Sequence, residues 1–99
     1  MLKSAQRGHP IDREAAETIA AQGLAFLTAD RHRLQRFLAL TGLAPADLKR
    51  RLGAREVLAA ALSFLVSDES LLLTFAANQA VAPQQILAAL ARLDSADGP

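Results

Sequence analysis

The apolar positions of this chain recur at helical spacing. Ala16, Ile19, Ala20, Gly23, Leu24 and Leu27 fall at i, i+3, i+4, i+7, i+8 and i+11, the stripe of a helix with one buried face. Asp12 stands before the stripe as an N-cap, which predicts a first helix from there to about Thr28. Gly23 costs that helix about 1 kcal/mol relative to Ala, a loss that a close approach of another helix would offset. Asp30 caps a second helix, with Leu34, Phe37, Leu38 and Thr41 on one face and Gly42 at its end. Pro45 opens a short third helix, because its fixed φ suits the first helical position. Leu43 and Leu48 flank that start at the spacing of a hydrophobic staple, which sets the angle of entry into the helix. After Gly53 the order repeats: a helix from about Arg55 to Val66, one from Glu69 to about Gln79 capped by Asp68, and a last one from Pro83 to about Leu93, stapled by Val81 and Ile86.

The recurrence is also one of residues. Laid over each other, residues 15–52 and 53–90 agree at 12 of 38 positions. All four phenylalanines fall into register, Phe26 on Phe64 and Phe37 on Phe75, as do Asp30 on Asp68, Leu34 on Leu72 and Pro45 on Pro83. Matches at residues this rare outweigh those at Ala and Leu. The expectation is an all-α fold, a compact bundle of five to six short helices arranged as two pseudo-repeated three-helix units of about 38 residues. Two repeats are too few for an open solenoid, so the units should close on one shared core with approximate two-fold symmetry. Coincidental likeness between two helical hairpins of similar length is the competing explanation. Residues 1–11 read as a flexible polar lead, 12–93 as one domain with repeat units 15–52 and 53–90, and 94–99 as a flexible tail.

Composition narrows the chemistry. Ala and Leu dominate, aromatics are 4% and β-branched residues are few, which favours helices throughout. The absence of Cys excludes disulfides, thiolate catalysis and thiolate-ligated zinc. Residues 1–17 hold no apolar run fit for a signal peptide, and no fully apolar stretch exceeds the length of 57–62, which is too short for a bilayer. The cytoplasm, with no membrane association, is the resulting expectation.

Charge separates the two repeats. Residues 31–55 carry seven basic residues against Asp47 alone, whereas residues 56–99 carry Arg92 against five acids. Arg31, Arg33, Arg36, Lys49, Arg50 and Arg51 face Glu69, Leu71, Thr74, Leu87, Ala88 and Ala89 in the alignment. Arg31, Arg33, Arg36, Lys49, Arg50 and Arg55 are therefore candidates for an anion-binding or partner-binding face. The same positions also read as a solvated face that keeps an Ala/Leu-rich domain in solution. In the second repeat, 71–73 followed by Phe75 and Ala76 is apolar nearly all round, so Leu71 and Leu73 are candidates for an apolar partner surface. Cover from within the chain is the competing reading. Exposure of both leucines in a monomer predicts a homodimer; burial of both removes that reason.

Residues 34–53 resemble a helix-turn-helix, with Gly42 in the turn and Lys49 and Arg50 on the would-be recognition helix. Leu38 stands where a small residue normally sits, and Arg51 where an apolar one does. No catalytic constellation is visible. His9 lies in the lead, His32 stands among arginines on an exposed turn, and Asp68 with Glu69 fits helix capping. No Gly-rich phosphate loop or metal-ligand spacing occurs, so no cofactor is expected.

The segments LAFL (24–27), RFLALTGLAPADL (36–48) and SFLVSDESLLLTFA (63–76) together resemble a short bacterial family classed only as a domain of unknown function. The resemblance covers roughly residues 15–90 and implies a small, soluble, all-helical protein, with no activity attached. NQAVAP (78–83) lacks the glycine that the family's second turn implies, which leaves that turn's geometry open. The sequence thus favours a non-enzymatic helical module that binds a protein partner, as a monomer or homodimer. A nucleic-acid-binding protein using Lys49, Arg50, Arg33 and Arg36 is the second reading.

Overall fold

The computed structural model describes residues 11–94, which form six helices and, among the described residues, no strand. They are α1 (Arg13–Thr28), α2 (Arg31–Thr41), α3 (Pro45–Arg50), α4 (Arg55–Val66), α5 (Glu69–Gln79) and α6 (Pro83–Asp94). Residues 1–10 and 95–99, most of the expected lead and tail, lie outside the described residues. Ile11, assigned to the lead, packs against the core, and Asp94, assigned to the tail, ends α6.

The caps are where the sequence puts them. The Asp12 carboxylate accepts the Ala15 N–H at 2.8 Å, and Asp68 accepts that of Leu71 at 3.1 Å. Asp30 accepts two, from His32 at 2.9 Å and Arg33 at 3.1 Å. Each bond satisfies a donor that has no partner within its own helix. At the start of α6, the Gln85 side chain accepts the Ala82 N–H at 3.0 Å, one half of a capping box.

α1, α4 and α6 pack against one another and form the centre, with α2 flanking α1 and α5 flanking α4. Apart from Ala16, whose equivalent Ala54 is half-buried before α4, the buried faces of α1 and α4 are Ile19, Ala20, Gly23, Leu24, Phe26 and Leu27, and Val57, Leu58, Ala61, Leu62, Phe64 and Leu65. Adding 38 to each number in the first set gives the second. The same addition carries helix boundaries 28, 31, 41 and 45 onto 66, 69, 79 and 83. Among the described residues, no polar or charged side chain is buried.

Gly23 marks the closest approach in this centre. A Cβ there would stand 3.0 Å from Leu65 Cδ1 and 3.4 Å from Leu62 Cδ2, both on α4. The glycine that weakens α1 locally is thus what lets α4 pack so near. The four phenylalanines then join the halves reciprocally. Phe26 meets Phe75 with ring centroids 5.4 Å apart, and Phe64 meets Phe37 at 5.7 Å, both tilted in the manner aromatic pairs favour.

The halves diverge at their last helix. α6 has 12 residues and crosses both α1 and α4, whereas α3 has six and buries Leu48 alone. Its shortfall is about 9 Å of helix. Arg51 ends α3, and Leu52 and Gly53 form a turn instead of continuing it. Among the described residues, no single helix is long and apolar enough to cross a membrane; α4 and α5 together have the length and composition but are bent by 111°.

The second turn, left open by the sequence, keeps the geometry of the first. Gly42 ends α2 at φ 77°, and Ala80 ends α5 at φ 54° and ψ 42°. The Val81 N–H bonds to the Ala76 carbonyl at 3.0 Å and holds the reversal. A left-handed Ala costs roughly 1–2 kcal/mol. Ala80→Gly should therefore raise stability by about 0.5–1 kcal/mol, after allowing for the greater freedom of glycine in the unfolded chain. Urea denaturation checks this: the midpoint rises with m unchanged. A lower midpoint would mean that Ala80 is not left-handed in solution.

Candidate functional site

The basic residues of the first half are mostly engaged within the molecule. The Arg33 guanidinium lies 4.0 Å from the Phe26 ring centroid and donates to the Phe26 carbonyl at 3.5 Å. Arg36 lies 5.4 Å from the Phe64 ring centroid and 3.6 Å from the Asp68 carboxylate. Each thus covers one ring of the two aromatic pairs with an apolar-faced cation. Arg50 pairs with Asp47 one turn back on α3. Arg51 reaches Glu56 at 3.9 Å. Arg55 donates to the Leu93 carbonyl at 3.3 Å, where the last turn of α6 leaves acceptors without helical partners. Of the six basic candidates, Arg31 and Lys49 alone have no bonded partner among the described residues. The expected basic face therefore resolves into four residues with internal contacts and two open cations.

The apolar candidates divide as well. Leu71 is half-buried and packs against the core, and Leu73 is 50% exposed. The reason for a homodimer is reduced to one leucine. Leu40 on α2, Leu52 after α3 and Leu87 on α6 are exposed too, at 68%, 46% and 48%. None of the three was singled out by sequence reasoning. Leu52 stands at helical spacing from Leu48, but because the third helix stops at Arg50 its side chain is left on the surface. Its register partner, Leu90, lies on the continuous α6 and is half-buried against the core.

Around Leu52 the surface opens into an apolar depression of about 540 Å³. Thr28 at the end of α1, Leu34 and Leu38 on α2, and Leu48 on α3 form its walls, with Lys49 at its edge. A second depression of about 290 Å³ continues along α1 past Ala21, Leu24 and Ala25, sharing Thr28 and Leu52 with the first. The two make one groove beside α1. From Ala21 to Thr28 it runs about 10 Å, two helical turns. Its volume lies in the range of small-molecule and peptide pockets, and Lys49 is the charged residue among those lining it. Among the described residues no group of three His, Asp or Glu is placed to hold a metal ion, and His32 is exposed.

Fold and site define a small all-helical domain with a basic face partly engaged by internal contacts and an open apolar groove beside α1. The chain belongs to the family described as protein of unknown function DUF3572, whose model matches residues 13–96. No curated protein and no solved structure matches it.

Asp30 ties the basic segment to the turn before α2. Its carboxyl is held below the ordinary aspartate value, first by the bond from the Arg33 backbone N–H, which desolvation opposes, and then by the His32 N–H and the charges of both side chains. A depressed folded value contributes stability above the unfolded pKa and loses it as pH falls through the folded one. The window lies below about pH 4. Asp30→Asn keeps a capping oxygen without the titration. Acid denaturation followed by circular dichroism should show a shallower loss of stability below pH 4 for Asp30→Asn than for the unaltered chain; parallel curves would remove Asp30 from the acid response.

Proposed function

We propose that this protein is a non-enzymatic helical interaction module of the bacterial cytoplasm that binds a protein partner through exposed apolar surface. The observation that carries this reading is the groove, an apolar depression beside α1 with leucine on its walls. The contacts of the arginines support it, because guanidinium groups held on rings, carboxylates and a carbonyl are less free to form forks on phosphate. The 38-residue correspondence between buried faces supports a duplicated three-helix unit as the scaffold, with the shortened α3 as the altered part.

Nucleic-acid binding through the corner at 34–53 is the second reading, and the length of α3 weighs against it. A recognition helix of six residues gives about 9 Å of contact, and Arg50 on it is paired with Asp47. Two measurements test the choice. Fluorescence anisotropy with a mixed-sequence DNA duplex at about 50 mM salt should show no binding; binding that falls steeply with added salt would favour the second reading. A photo-crosslinking residue placed in turn at Leu40, Leu52, Leu73 and Leu87 should give covalent protein adducts in cells from at least one site. Adducts at none of the four would overturn the module.

A further inference from the structure

We infer that the groove beside α1 seats an amphipathic helix of a partner protein, about two turns of apolar face with an acidic residue set against Lys49. This deepens the proposed module and rests on it. In the second half, α6 supplies its own cover: Ile86, Ala89 and Leu93 are fully buried, and Leu90 is half-buried against the core. In the first half the corresponding helix ends two turns early, and Leu52 stays 46% exposed where Leu90 is covered. Along α1, the exposed Ala21 and Thr28 occupy the register positions of the half-buried Ala59 and Val66. The groove is thus the length of helix that α3 lacks, walled by leucines and by the small residues Ala21 and Ala25 that let a helix lie close.

Charge fixes the sign of the occupant. Lys49 lines the groove without an ion-pair partner among the described residues. Of the acids of this half, Asp47 pairs with Arg50, Asp12 and Asp30 accept backbone N–H groups, and Glu14 and Glu17 on α1 are not among the residues lining the groove. Arg31, also open, adds positive charge at the start of α2. Complementary charge across an apolar seat sets orientation and excludes basic helices. The chain's own residues 1–10 carry Lys3, Arg7 and no acid, the wrong sign for this place. Residues 95–99 hold no large apolar side chain.

The test uses two stapled, fluorescein-labelled peptides of sequence 83–94, one with Gln84→Glu and Gln85→Glu, the other with both replaced by Lys. The full-length protein should bind the acidic peptide about tenfold more tightly than the basic one at low salt. Leucine methyl shifts should move at Leu34, Leu38 and Leu52. Lys49→Glu, a surface change that leaves the fold in place by circular dichroism, should remove the preference, and Leu52→Glu should weaken both peptides. Equal binding of the two, or a preference that survives Lys49→Glu, overturns the acidic occupant. No binding by either, shifts that map elsewhere, or saturation of the groove by a second copy of the chain in sedimentation overturns the helix seat. An adduct at Leu73 or Leu87 in cells would then leave the module standing without it.

Discussion

The fold depends on four rings held across its two halves. Phe26 of α1 packs on Phe75 of α5, and Phe64 of α4 packs on Phe37 of α2, so each half completes the other's aromatic pair. Neither half can bury its rings alone. The close approach at Gly23 is part of the same arrangement, since Phe75 Cζ lies within 3.8 Å of the point where a Cβ would stand. Leu27, Leu62, Leu65, Ile86 and Leu93 are fully buried and fill the core around the rings.

That constraint explains where the arginines go. Arg33 and Arg36, both on α2, stack on Phe26 and Phe64, one ring of each pair. Charge that looks like a binding face in sequence is, in space, a roof over the aromatic seam. α3 carries none of the four rings, and its six residues end before Leu52, which lines the groove with Thr28.

Much of this was legible in the residues. The i, i+3, i+4 stripes placed all six helices, and the aspartates at 12, 30 and 68 placed three N-caps, because helix periodicity and capping are local physics. Register across the two copies brought Phe26 with Phe64 and Phe37 with Phe75; that contact would run across these pairs, not within them, needed the packing. The basic candidates misled for a related reason. Spacing tells which residues share a helix face, whereas the partners of Arg33, Arg36 and Arg55 come from elsewhere in the chain. The groove left one faint signal, Gly53 and Arg51 standing where α6 has Ala91 and Ala89. A helix cut short is hard to read from a pattern that still contains Leu48 and Leu52 at helical spacing.

The most direct test of the reciprocal seam is a double-mutant cycle on Phe26 and Phe75, each replaced by Leu singly and together, with stability measured by urea denaturation. The cross-half contact predicts a coupling of about 0.5–1.5 kcal/mol between the two substitutions. Strict additivity would mean that the rings do not meet, and the relation between the halves described here would be contradicted.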